Sequence, residues 1–201
     1  MMSRRASLLI FTCAACAAIS VVPAWCDVHA IDPQRSTLTI YVFKSGLFSG
    51  FADNHVVKAP ISSGSFSEDA PLAVEVAVHS ADLTVMDPNL APARRAEVQT
   101  RMHGPEVLDV TRFPDIRFTS TVVEPSGSGK WRVSGTLTLR GQSRPLTFDV
   151  VHQNGRYQGE TLINQRDFGI EPIKVAGGTV KVKDQLKIAF DITSTNTGES
   201  R

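Results

Sequence analysis

The 201-residue chain predicts an all-β protein, a sandwich or a barrel, and three observations carry that expectation. Apolar and polar residues alternate in several short runs. Gly, Pro and Asn stand between the runs, which recur at spacings of about 8–12 residues. Only one stretch has the composition of a helix, so βαβ units are excluded.

Residues 36–43 alternate with Leu38, Ile40 and Val42 on one face and Thr37, Thr39 and Tyr41 on the other. Residues 73–79 repeat the pattern with Val74, Val76 and Val78. After Phe113-Pro114, a third strand carries Ile116, Phe118, Ser120 and Val122 on one parity. The fourth carries Trp131, Val133, Gly135, Leu137 and Leu139, and the fifth Leu146, Phe148 and Val150. Residues 157–164 form a weaker sixth, and 185–193 end the series with Leu186, Ile188, Phe190 and Ile192. Turn signals separate them at Pro125-Ser126-Gly127-Ser128-Gly129, Arg140-Gly141, Asn154-Gly155 and Gly177-Gly178. Residues 91–103, rich in Ala, Arg, Glu and Gln, follow Pro88 and stop at Gly104-Pro105; they predict one helix of about three turns. Val98 and Met102, four apart, share a face of it. That face either closes one end of a barrel or packs on the sheet as an ordinary surface helix.

The N-terminus predicts export. Arg4 and Arg5 precede an uncharged apolar run over 8–22, short and Ala-rich for a membrane span, and Val22-Pro23-Ala24 supplies small residues for cleavage after Ala24; the alternatives are an uncleaved anchor and a lipoprotein signal at Cys16. A second site lies after Cys26. The expected organisation is a signal peptide over 1–24, a β domain over 29–194 and a disordered tail over 195–201. The expected location is the periplasm or the medium, with no stable membrane span after processing. Cys13, Cys16 and Cys26 all lie in or beside the signal, so the domain folds without an internal disulfide. The net charge of +1 becomes −1 once the two arginines are removed, and no basic stripe with interleaved aromatics is present. Nucleic acid is therefore not an expected partner.

Catalytic and metal signatures are weak. His55, Asp53, His79 and His103 match no metal-ligand spacing, and no Gly-x-Ser-x-Gly elbow occurs. His79 closes a strand and His103 ends the helix, where a cation suits the dipole. His55 is the candidate for a polar contact to a ligand head group; the bland alternative is a turn capped by Asp53 or Asn54.

Four blocks in order resemble the YceI-like family of exported lipid- or polyisoprenoid-binding proteins. They are Ile31-Asp32-Pro33-Gln34-Arg35-Ser36, Val107-Leu108-Asp109-Val110-Thr111-Arg112-Phe113-Pro114, the stretch from Gly135 to Pro145, and Arg166-Asp167-Phe168-Gly169-Ile170. Arg35 and Lys44 stand where many members carry His, which marks a divergent branch. The resemblance implies an antiparallel, eight-stranded lipocalin-like barrel with one inserted helix. It implies no catalytic role and no cofactor other than a bound isoprenoid lipid or quinone. Small residues such as Gly135, Ala77 and Ala189 are expected to thin the interior for it. Expected lining residues are Phe48, Phe51, Val76, Met102, Phe118, Leu139, Phe148, Phe168, Ile188 and Phe190. An exposed edge strand offers a route to a homodimer. The alternatives are a secreted metal-dependent hydrolase using His55 and Asp53, and a ligand-free envelope protein with a solid core.

Overall fold

The computed structural model describes residues 27–45, 54–175 and 180–195, and in it the alternating runs form one curled antiparallel sheet. Its strands are β1 (Val28–Ala30), β2 (Thr37–Ser45), β3 (His55–Lys58), β4 (Ser63–Ser67), β5 (Ala73–His79) and β6 (Thr84–Val85). After helix α1 (Pro92–His103) come β7 (Asp115–Gly127), β8 (Lys130–Leu139), β9 (Gln142–Gln153), β10 (Arg156–Asn164), β11 (Lys174–Val175) and β12 (Val180–Ile192). The hydrogen-bonded order is β1-β4-β5-β7-β8-β9-β10-β12-β2-β3-β6, with β11 on β12. The signal segment, Phe48, Phe51, Asp53, Gly177-Gly178 and residues 196–201 lie outside the described residues.

The expected count of eight strands is corrected to twelve. Part of the difference comes from strands of two or three residues, β1, β6 and β11, which are too short to show a period. Part comes from the segment 55–67. Its first half pairs with β2 and its second half with β5. Between them Ala59 N–H donates to Leu38 O at 2.9 Å, and Ser62 N–H to Ala77 O at 2.9 Å. Pro60 sits at this change of partner and has no N–H to give a ladder. Near the opposite end of the curl, Ile31 bridges to Ser194. Thr195, the first residue of the expected tail, is tied down by its N–H to Ala30 O at 2.9 Å.

The hairpins follow from their turn chemistry. Arg140-Gly141 and Asn154-Gly155 adopt positive φ at both central residues (49° and 69°, 53° and 71°). That conformation twists the chain in the sense of the flanking strands. The long strands bury Leu137, Leu139, Val133 and Val150 on the inner face. A bulge between Ser120 and Val122 in β7 shifts the parity there. Val122, expected on the inner face, is 48% exposed, and Val123 turns inward in its place.

Helix α1 matches the expected span. Val98 and Met102 do share a face, and that face lines the interior of the sheet. Gln99 fixes it: its side chain accepts from Val85 N–H at 2.8 Å and donates to Leu83 O at 2.7 Å. His103 joins this network 3.0 Å from Leu83 O, a structural role for the histidine that ends the helix.

Candidate functional site: the cavity inside the curled sheet

The inward rows do not fill the space they enclose. A cavity of about 880 Å³ runs between them, at the upper end of the usual range for small-molecule sites. At roughly 30 Å³ per non-hydrogen atom it holds on the order of 30 such atoms. Its long walls come from Leu38, Ile40 and Val42 of β2, Val74, Val76 and Val78 of β5, and Leu186, Ile188 and Phe190 of β12. Each set is an i, i+2, i+4 row of one strand, which is why the walls are apolar.

Of the expected lining residues, Val76, Met102, Phe118, Leu139, Phe148, Ile188 and Phe190 lie on this wall, as does His55. Phe168 does not. It sits in a 3-10 turn (Gln165–Phe168), 3% exposed in the packed core, because Gly169 at φ 71° turns the chain there. Ala77 and Ala189 are corrected as well. They take the parity opposite to Val76 and Val78, and to Ile188 and Phe190, so they face away from the cavity. Glycine acts differently from a simple thinning of the core. A Cβ on Gly135 would stand 2.6 Å from the Phe118 ring, and one on Gly159 would stand 2.5 Å from the Phe190 ring. The bare backbone at these two positions lets the rings lie back against the wall. Phe148 then bridges them, with centroids 5.2 Å from Phe118 and 5.3 Å from Phe190.

The two ends of the cavity differ. At one end Tyr157 stacks on His152 with centroids 4.3 Å apart, and packs against Phe66 and Trp131. Its hydroxyl donates to Glu68. Burial and the neighbouring Glu68 carboxylate both raise the phenol pKa, so Tyr157 keeps its proton well past the ordinary tyrosine range. At the other end lie Lys44, His55, Lys181 and the α1 side chains Arg94, Glu97 and Arg101.

His55 is held by a residue that sequence reasoning missed. Its Nδ1 lies 2.5 Å from Oδ2 of Asp87, which is 6% exposed. The other carboxylate oxygen accepts from Val56 N–H at 2.8 Å. Asp87 precedes Pro88 and lies 32 positions from His55, so the sequence presents it only as a turn residue. Asn54, expected as a turn cap, accepts from Lys44 N–H at 3.2 Å and ties β3 to the end of β2. Among the described residues, no group of three or more His, Cys, Asp or Glu could hold a metal ion. Asp87→Ala is expected to cost about 1.5–3 kcal/mol, since it strips a buried N–H and a histidine of their shared acceptor. Asp87→Asn, which keeps an acceptor for Val56, should cost less. Urea unfolding at neutral pH checks both, and equal losses would contradict this role.

A curled antiparallel sheet that keeps a large apolar cavity is the build of a small-molecule binding protein. The chain belongs to the YceI-like domain family, whose match runs over residues 29–194. A UPF0312 protein of Shewanella baltica is 34% identical over 122 residues, 54% of this chain. The chain spans 60% of that relative's length. The fold is also that of BcnA from Burkholderia cenocepacia, with a TM-score of 0.59 and 18% identity, over 81% of this chain and 98% of that one. A polyisoprenoid binding domain from Saccharophagus degradans, implicated in plant cell wall breakdown, superposes with a TM-score of 0.54 and 14% identity. That match covers 82% of this chain and 95% of the other. At these identities the likeness is one of fold.

Proposed function

We infer that the protein is a non-enzymatic carrier that sequesters an apolar isoprenoid-type lipid, a quinone tail or a polyprenyl chain, inside the sheet. The cavity carries this reading: about 880 Å³ enclosed by aliphatic and aromatic rows. Each CH₂ transferred from water into such a space gains ~0.8 kcal/mol, so a chain of 20 or so carbons binds without strong polar contacts. The polyisoprenoid binding neighbour and the family match support the same ligand class. On this reading the curled sheet wraps around the lipid. Export to the periplasm by the 1–24 signal gives the carrier its task, since a free isoprenoid chain is insoluble in that compartment.

Trp131 lines the cavity and reports on it directly. The chain has two tryptophans, Trp25 and Trp131, so a Trp25→Phe background isolates the reporter. Adding a long-chain isoprenoid quinone to delipidated protein should change the Trp131 emission and saturate at one ligand per chain. A water-soluble quinone without the tail should not. Unchanged emission at every ligand concentration would overturn the reading.

A further inference from the structure

We propose that the outer face where β2, β12 and β11 meet docks on the surface of an anionic lipid bilayer and sets the α1 end of the cavity beside it. This goes beyond the carrier reading, and the docking does not depend on what the cavity holds.

The strand register builds this face. Lys44 and Val182 are partners on the cavity side, so the positions next to them, Phe43 and Lys181, turn outward. Lys174 of β11 is the partner of Lys181 and shares its side of the sheet. Lys183, two residues on, holds its ammonium 6.0 Å from the centre of the Phe43 ring. Farther along the same strands the Lys187 ammonium stands 5.4 Å from the centre of the Tyr41 ring. Tyr41 and Phe43 are half-buried, whereas Lys174, Lys181 and Lys183 are exposed. The two rings thus floor a row of lysine stems whose charged ends stay in water. In the sequence these aromatic residues and lysines lie on segments far apart, and only the pairing of β2 with β12 interleaves them.

The positive charge is not cancelled locally. Glu160 bonds Lys187 at 2.9 Å, and Arg166 holds Glu171 at 3.3 Å and Asp184 at 3.5 Å. Lys174, Lys181 and Lys183 form no ion pair among the described residues. Lys181 also borders the cavity together with Val182, so the basic face runs up to the cavity's α1 end. Lysines near an anionic bilayer add up in adsorption, and aromatic rings suit the headgroup level. A bilayer fits this face better than a single-stranded nucleic acid, whose bases need open aromatic faces for stacking. Here an ammonium covers each ring. Docked this way, the protein brings one end of its cavity to the phase that apolar chains occupy.

Flotation of the purified, delipidated protein with vesicles tests the docking. The protein should float with vesicles of equal parts phosphatidylglycerol and phosphatidylcholine, stay behind with phosphatidylcholine alone, and be released by high salt. Lys174→Gln with Lys183→Gln should weaken flotation by about 30-fold. Neither residue is on the cavity wall, so isoprenoid quinone uptake by this variant should be unchanged. Lys130→Gln, an exposed lysine at the Tyr157 end, should float like the unaltered protein. Should the double variant fold poorly, the salt dependence and lipid preference of the unaltered protein decide the matter alone. Equal flotation with both vesicles, flotation with neither, or full-strength flotation by the double variant would overturn the docking inference and leave the carrier reading standing. Tighter binding of a single-stranded oligonucleotide than of anionic vesicles in the same salt would also overturn it.

Discussion

Ile188→Trp is expected to weaken binding of a long isoprenoid chain by about 100-fold while the sheet stays folded. Ile188 sits mid-wall on β12, directly opposite Ile40 of β2, and both face the cavity. A tryptophan there extends its ring into empty space, so the overpacking that penalises such a change in a filled core is largely avoided. The ring takes room from the ligand instead. Displacing on the order of four carbons at ~0.8 kcal/mol each removes about 3 kcal/mol of transfer free energy. That is a little over two decades in Kd. The control is Leu162→Trp on the outer face of β10, where the side chain is 52% exposed and the same ring should leave binding unchanged. Titration of delipidated protein, with circular dichroism to confirm the strands, reads both. Full-strength binding by Ile188→Trp would mean that the chain does not occupy this part of the cavity.

Gly159→Ala carries the largest expected loss of stability. A Cβ at this position would lie 2.4 Å from Asp149 O of β9 and 2.5 Å from the Phe190 ring of β12. One of these obstacles is backbone held in the ladder, so the strand itself must move. The other is an aromatic ring wedged between Phe148 and the wall, which can move only into the cavity. Strain of this kind costs about 2–3 kcal/mol. For a chain of this size that lowers Tm by roughly 5–10 °C. Phe190→Leu in the same chain should restore part of the loss, because it relieves the ring contact and leaves the carbonyl contact in place. A double-mutant cycle with no coupling would contradict the packing of Phe190 over Gly159.

The long strands were legible because each keeps one face buried over many residues. The alternation in β2, β5, β8 and β9 placed Leu38, Val76, Leu137 and Phe148 on the correct side. The same rule failed where the backbone broke its period. At the bulge in β7 a strict parity put Val122 inside, and pairing with Ser134 instead turned it to solvent. Ala77 and Ala189 lie off the wall because parity, and not side-chain size, decides which residues of a strand face inward. The change of partners at 59–62 left no signature, since β3 is four residues long and β4 is largely serine and glycine.

The family blocks turn out to be turn-makers. Asp32 accepts the N–H groups of Gln34 and Arg35 at 2.9 and 3.2 Å. Asp109 holds φ at 49° while its carbonyl accepts from Arg112 and Phe113. Phe113 in turn packs where any Cβ on Gly141 would clash, at 2.7 Å. Asp32, Asp109, Phe113 and Gly141 lie off the cavity wall, whereas Leu108, Leu139 and Ile170 of the same blocks lie on it. The apolar lining was largely visible in the strand parity, and the polar groups at the α1 end of the cavity were harder to see. His55 was visible as a candidate, whereas its partner Asp87 depends on a contact between distant segments. Lys44 stood out in sequence only as a departure from the family's His, and nothing in the sequence marked Lys181.

If the cavity holds an apolar chain, the chain stays with the protein through purification. Native mass spectrometry of the purified protein, followed by organic extraction, tests it most directly. The expected result is a mass excess equal to one lipid, lost on extraction and recovered in the extract as an isoprenoid compound. A protein that emerges empty, and after delipidation takes up neither ubiquinone nor a polyprenyl chain, would contradict it.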